Sequence, residues 1–332
     1  MIYIEKATII KTKNEVPTHM IKKIKGFLLM LYDALNVNCN EWIIAIRKTG
    51  KEKLYDGNNS EFHLIKNSIR YWRADPFLFK HNGKNYLFAE MFDRKKKKGV
   101  IGVACVHNGK VGKFKVALEE NFHLSYPCIF EHKKSIYMIP ESSDSQELWL
   151  YTCDKFPYKW KKIKKISNDC VADATPFFVD NTYTLLATKF NNPNNRQNDN
   201  LSIINKDTHF NIIMNNLLAR PAGHIIKLEN NKLIRPSQNN THTYGGNLVF
   251  NEIQQYDKET FLEHPFLQIY SDKTFADEND IIIQCSKKHY WNYKGIHTYN
   301  LNEDYEVIDL KYSGGKSIYS LLSFLKRKYL HI

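Results

Sequence analysis

Four carboxyls stand in matching surroundings along the chain. They are Asp75 in Trp72-Arg-Ala-Asp-Pro-Phe, Glu90 in Phe88-Ala-Glu-Met, Glu141 in Ile139-Pro-Glu-Ser, and Asp173 in Val171-Ala-Asp-Ala-Thr-Pro. Carboxyls set among Phe, Tyr, Trp, Met and Pro are costly to desolvate unless they are paired or used. Brought together, one can hold a proton as a general acid while another, ionised, takes a proton from an attacking hydroxyl. Arg220 and Arg235, each followed by a proline, are the cations that could orient a substrate or steady a departing phosphate. Asp75, Glu90, Glu141 and Asp173 together could supply the base and the protonated acid. Arg73, Glu90, His123, Arg220, Arg235, Gln238, Tyr244 and His297 are the substrate contacts, and His224 is a further candidate for the same cavity. An Asp-Pro pair also opens strands and caps turns, so a structural role stands beside the functional one at each carboxyl. The histidine spacing matches no metal motif, and no metal is expected.

These residues are positioned by a phrase that the chain says twice. Ala74 to Glu90 returns as Ser125 to Glu141, with 14 residues from Pro76 to Glu90 and again from Pro127 to Glu141. Weaker echoes begin at Ala174 and Arg220. The prolines 76, 127, 176 and 221 are 51, 49 and 45 residues apart, a period that in a strand-rich chain points to propeller blades. The repeats run 70–119, 123–167, 170–217 and 219–270. A fifth blade is expected from 275–312, including a strand over 280–285, and the apolar run near 41–47 would complete it and close the ring. His81-Asn-Gly83 marks the first hairpin turn. The predicted fold is all-β, a five-bladed β-propeller over 41–312, with a prelude at 1–40 and a basic amphipathic helix at 313–332. Short amphipathic helices are expected near both ends.

The 332 residues are 42% hydrophobic and 13% aromatic, so the chain is globular. A net charge of +13 favours an anionic partner without choosing among them. The lysines form no stripe interleaved with aromatics, which argues against nucleic acid. The longest apolar run, Phe27 to Tyr32, is too short to span a bilayer and no export signal is read at the start. The expectation is a cytoplasmic protein touching the inner face of the cytoplasmic membrane. Six cysteines without paired spacing read as buried free thiols. Asp93 to Lys98 reads as a solvated hairpin tip, and Asn191 to Asn200 as a polar loop. Dinucleotide, P-loop and nucleophile-elbow motifs are missing, as is a strand-flanked Asp-x-Asp. No cofactor is expected; a sugar nucleotide or other activated sugar would be the donor substrate.

Trp72 to Phe79, Leu124 to His132, Tyr137 to Ser142, Asp173 to Phe177, Arg220 to Gly223 and Arg235 to Gln238, with Tyr244-Gly, resemble the N-terminal domain of plant glucosamine inositolphosphorylceramide transferases and its free-standing bacterial relatives. The resemblance implies a five-bladed propeller and a place in surface-polysaccharide or glycolipid synthesis. More distantly, the Asp-Pro opening is similar to the five-bladed furanosidase and fructosyltransferase superfamily. That resemblance would make Asp75 the base or nucleophile, Asp173 the residue that tunes it, and Glu141 the acid, although the superfamily's usual contexts around the acid are missing. The resulting expectation is a glycosyltransferase that joins a sugar donor to a glycan or glycolipid acceptor in the central funnel. A furanosidase-like glycoside hydrolase and a non-catalytic glycan-recognition propeller are the alternatives.

Overall fold

The computed structural model describes residues 41–179, 182–190, 200–204, 209–215, 217–256, 261–286 and 292–313, all within the compact unit Cys39–Gly314. The expected terminal helices, and the polar loop apart from Asn200, lie outside the described residues. Among the described residues no helix is long and apolar enough to cross a membrane.

Five sheets, antiparallel apart from one edge strand, form the blades of a five-bladed propeller. Blade one holds Tyr71–His81, Lys84–Asp93 and Lys98–His107, with the short Lys110–Val111 and Lys115–Leu118 outside them. Blade two runs Ser125–His132, Ser135–Glu141, Leu148–Lys155 and Lys159–Ser167; blade three runs Val171–Val179, Thr182–Lys189, Asn200–Ile204 and Phe210–Asn215. Blade four comprises Ile226–Lys227, Leu233–Asn239, Asn247–Tyr256 and Phe261–Tyr270. Its outermost member is Ile281–Ile282, parallel to Phe261–Tyr270. The strand expected over 280–285 therefore belongs to the fourth blade, not the fifth. Blade five is closed from both ends of the unit: Glu41–Lys48 pairs with Tyr305–Ser313, from Glu41 opposite Tyr312 to Lys48 opposite Tyr305.

A blade is covered on both faces by its neighbours, so its inner strands are apolar on both faces. Glu41-Trp-Ile-Ile-Ala-Ile shows why. Ile43 and Ala45 pack toward Leu248 and Phe250 of blade four, while Ile44 and Ile46 pack toward Leu78 and Leu87 of blade one. Separate clusters fill the junctions of blades one and two, two and three, and three and four. The hairpin tip is only partly solvated: Lys95, Lys96 and Lys97 are exposed, whereas Arg94 folds back onto Glu41 and is buried. The five described cysteines are free thiols, but Cys105 is exposed, against the expectation of burial.

The inner strand of blades one, two and three carries a bulge at the same place. Register slips between Ala74 and Phe77, between Ser125 and Cys128, and between Ala172 and Thr175. Asp75 (φ 49°), Tyr126 (φ 43°) and Asp173 (φ 55°) sit in these bulges in the left-handed region, which non-glycine residues rarely adopt. Asp173-Ala174 is thus the equivalent of Asp75-Pro76, and Pro176 is not the third member of the proline series.

Candidate functional site

The bulges turn their side chains toward the axis, where a chain of hydrogen bonds passes from blade to blade. The Asp75 amide donates to Asp309 Oδ2 (2.8 Å), and the Tyr126 amide donates to Asp75 Oδ2 (3.1 Å). The Tyr126 hydroxyl lies 2.8 Å from Thr175 Oγ1 and accepts the Gly223 amide at 2.8 Å. Asp173 Oδ2 accepts from Arg220 Nε (2.5 Å) and Gln238 Nε2 (2.9 Å). Blades five, one, two, three and four are linked in that sequence. This belt holds the strained bulges in place.

Above the belt lies a cavity of about 780 Å³ to which every blade contributes. Blade one supplies Trp72, Asp75, Glu90 and Phe92, with Trp72 stacked on Phe92 at 4.7 Å. Blade two supplies Ser125, Glu141 and Asp144, and His123 precedes it. Phe190 comes from blade three, while Arg220, Asn240 and Tyr244 come from the blade-four segment. Trp42 and His297 come from blade five, their rings stacked at 3.7 Å. Gly245 (φ 62°) leaves room for that pair, since a Cβ there would lie 2.6 Å from Trp42 Cη2 and 3.0 Å from His297 Cβ. Glu90 and Glu141 hold the same hairpin position, opposite Ala74 and Ser125. That is the physical origin of the repeated 14-residue spacing.

The carboxyls differ in their surroundings. Burial, with Asp75 and Glu141 adding like charge, pushes Glu90 well above the usual carboxylate range. Its Oε1 is buried without a hydrogen bond and lies 3.3 Å from His123 Nε2. Burial also acts on Glu141, but the Arg220 guanidinium and hydrogen bonds from Asp173 and Ser143 bring it below the range. Arg220 Nη2 stands 3.3 Å from Glu141 Oε2, and Ser143 Oγ donates to Glu141 Oε1 at 2.8 Å. Burial raises Asp75 against the pull of His297, and raises Asp173 against that of Arg220.

Asp75, His297 and Asp309 form a tight buried group whose residue types could hold a metal ion. Most of the oxygens are already engaged in hydrogen bonds. Asp309 Oδ1 accepts from the His297 amide (3.2 Å), His297 Nδ1 (2.8 Å) and the Thr298 amide (3.0 Å), while Thr298 Oγ1 donates to Asp75 Oδ1 at 3.0 Å. The donor set fits a proton network better than a metal centre.

Of the residues expected to form the site, Asp75, Glu90, His123, Glu141, Arg220, Tyr244 and His297 line the cavity. Asp173 and Gln238 stand behind Arg220. Arg73 does not line it: its guanidinium lies over the Phe114 ring at 4.6 Å and bonds the Lys66 carbonyl, and burial pulls it down to about 10. Arg235 is buried in a two-pronged pair with Glu263 (2.5 and 2.7 Å) and serves the blade. His224 also lies elsewhere, its Nε2 3.0 Å from the Ile129 carbonyl, and burial pushes it down to about 4. Asp309 and Trp42 were not among the expected residues. The only signal for Asp309 is a carboxylate between Ile308 and Leu310 in an apolar strand.

The family model "Glucosamine inositolphosphorylceramide transferase 1, N-terminal" matches residues 66–281. Glucosamine inositolphosphorylceramide transferase 1 of Oryza sativa subsp. indica is 31% identical over 205 residues, which is 58% of this chain and 27% of the relative. The protein of that name from Arabidopsis thaliana is 30% identical over 203 residues, 57% of this chain and 26% of the relative. The chain therefore spans about a quarter of the length of the curated relatives it matches. Among solved structures, an α-L-arabinofuranosidase from Lactobacillus brevis is similar over 71% of this chain and 82% of its own, at 13% identity and a TM-score of 0.49. One from Podospora anserina is similar over 73% and 90%, at 10% identity and a TM-score of 0.47.

Proposed function

The chain belongs to the glucosamine inositolphosphorylceramide transferase N-terminal family, and from that premise we propose that it is a carbohydrate-active propeller whose central cavity breaks or transfers a glycosidic bond. The observation that carries the reading is the opposed environment of two carboxyls in one aromatic-walled cavity, Glu90 raised and Glu141 lowered. Titratable pairs pushed apart in this way mark an acid and a base.

In this reading Glu141 takes the proton of an acceptor hydroxyl as that oxygen bonds to the anomeric carbon. The bond from that carbon to the leaving oxygen breaks, and Glu90 delivers its proton to the leaving oxygen. One proton is gained and one lost, and the next cycle begins after they re-equilibrate with solvent. Water as acceptor gives hydrolysis; a glycan or glycolipid hydroxyl gives transfer. The half-buried Trp72 and Phe92 offer apolar surface for a pyranose or furanose ring. The acid role thus moves from Glu141, where the sequence resemblance put it, to Glu90, because Arg220 favours an ionised Glu141. Among the described residues the one arginine lining the cavity is Arg220, already shared by Asp173 and Glu141. This arrangement supports a neutral leaving group that needs a proton more than it supports a phosphate.

Glu90→Gln tests the assignment. Turnover of alkyl glycosides should fall by roughly 10²–10⁴-fold, while nitrophenyl glycosides, whose leaving group needs no proton, should retain most of theirs. Equal loss on both would remove Glu90 as the acid. A second reading, glycan recognition without catalysis, draws on the internal partners that most of these carboxyls already have. It expects glycan binding by calorimetry to survive in both Glu90→Gln and Glu141→Gln with no turnover in the parent protein.

A further inference from the structure

His123, from the segment between blades one and two, and Gly99, from the blade-one strand Lys98–His107, meet at Glu90. The Gly99 amide donates to His123 Nδ1 at 3.0 Å. A ring nitrogen that accepts a hydrogen bond carries no proton, so the N–H of this imidazole is on Nε2. Nε2 lies 3.3 Å from Glu90 Oε1, a buried oxygen that no hydrogen bond satisfies, so the imidazole is the group placed to serve it. Gly99 is what lets the three groups meet. A Cβ there would lie 2.8 Å from both Glu90 Oε1 and His123 Cε1 and would collide with the Leu124 carbonyl.

We propose that His123 is a positioning residue, held in one tautomer by the Gly99 amide, which occupies Oε1 of Glu90 and leaves the acid proton to Oε2. The inference rests on the acid role of Glu90 proposed above. Besides the N–H on Nε2, the pair holds one acid proton. Moving it to the histidine would set a second N–H at Nδ1 against the Gly99 amide, so the backbone opposes the transfer. The ionisable groups acting on Glu90 are acidic: Asp75, Glu141, Asp309 and Asp173. The aromatic neighbour of the imidazole is Phe92, 6.1 Å between ring centroids. A like-charged surround of this kind opposes a second carboxylate, which keeps the proton on Glu90.

The test compares His123→Phe, which removes the donor, with His123→Gln, which can restore an N–H near the same place. The probes are neutral alkyl and nitrophenyl glycosides. His123→Phe should lower kcat on alkyl glycosides by about tenfold or more with little change in KM, and should spare the nitrophenyl series. Losing a donor that favours the carboxylate should also move the alkaline limb of the kcat profile to higher pH. His123→Gln should recover most of both effects. Unchanged rates and profile in His123→Phe would overturn the proposal. So would an equal loss on both substrates through KM, which would mean that His123 touches the sugar. Imidazole ¹⁵N spectra of the parent protein at pH 7 decide the pairing without any turnover. They should show Nδ1 bare and Nε2 protonated, with Nε2 moving in Glu90→Gln. A ring protonated on both nitrogens would overturn the inference even if the cavity proves catalytic. Failure of every glycoside to react would instead count against the acid role itself.

Discussion

The two glutamates at equivalent hairpin positions make opposite demands on stability. Glu90 keeps its proton in the folded chain where the unfolded chain, near the ordinary value of 4.5, has lost it. The folded state then binds more protons, so this contribution is present below about pH 4.5 and is lost as pH rises through the folded value. Glu141 is the reverse: its folded value is depressed, so its contribution is present above 4.5 and is lost as pH falls through the folded value. Glu90→Gln should therefore melt higher than the parent at pH 7–8, by about 1 kcal/mol or more, with the gap closing toward pH 4.5. Glu141→Gln should melt lower at neutral pH, with its gap closing in acid. Melting curves across pH 4–8 check both signs, and matching slopes in the two variants would contradict the assigned environments. A cavity that is less stable for holding Glu90 is what a functional acid site entails.

At the scale of the strand, the bulge is the device that converts a repeat into a site. Tyr126 shows how much depends on it. Its hydroxyl takes the Gly223 amide of the blade-four segment and reaches Thr175 of blade three, in a position where the backbone is already strained. Tyr126→Phe should leave the buried Gly223 amide without an acceptor and cost about 1–3 kcal/mol, read as a lower urea midpoint. A loss well below that range would mean that the belt is not held through this hydroxyl. The bulges also explain what is legible in the sequence. Pro76 and Pro127 with their glutamates announce hairpins because a bulge followed by proline and a residue 14 positions on is a local pattern. The third bulge is not legible by its proline, because Asp173-Ala174 bulges without one and Pro176 lies two residues further on. The contribution of Asp309 is less legible still. In Glu306-Val-Ile-Asp-Leu it is one carboxylate in an apolar strand, and only closure of the ring shows that it reaches Asp75 from 234 residues away. Arg73 and Arg235 were drawn into the expected site for the converse reason, since adjacency to a motif says nothing of which side of the strand a side chain takes.

For the whole molecule, the decisive contact is the seam where Glu41–Lys48 meets Tyr305–Ser313, because without it the faces of blades five and one are uncovered and Trp42 loses its place on His297. The seam contains a buried ion pair, Arg47 Nε to Glu306 Oε2 at 2.7 Å, and Glu306 also accepts from the Leu54 amide (2.8 Å) and the Tyr299 hydroxyl (2.6 Å). Arg47→Met would leave the Glu306 carboxylate buried beside two neutral donors, a loss of roughly 3–5 kcal/mol. Where that loss appears distinguishes two kinds of propeller. If the blades fold as one cooperative unit, the urea midpoint falls while the slope m, which tracks the surface exposed on unfolding, stays the same. If the seam opens before the rest, m falls and fluorescence from Trp42 changes ahead of the far-ultraviolet signal. The continuous run of junction clusters favours the first outcome, since among the described residues the large apolar clusters lie between neighbouring blades. A cavity assembled from all five blades would then be lost at one midpoint with the fold, so that ligand binding and sheet content should disappear together across the urea titration of Arg47→Met.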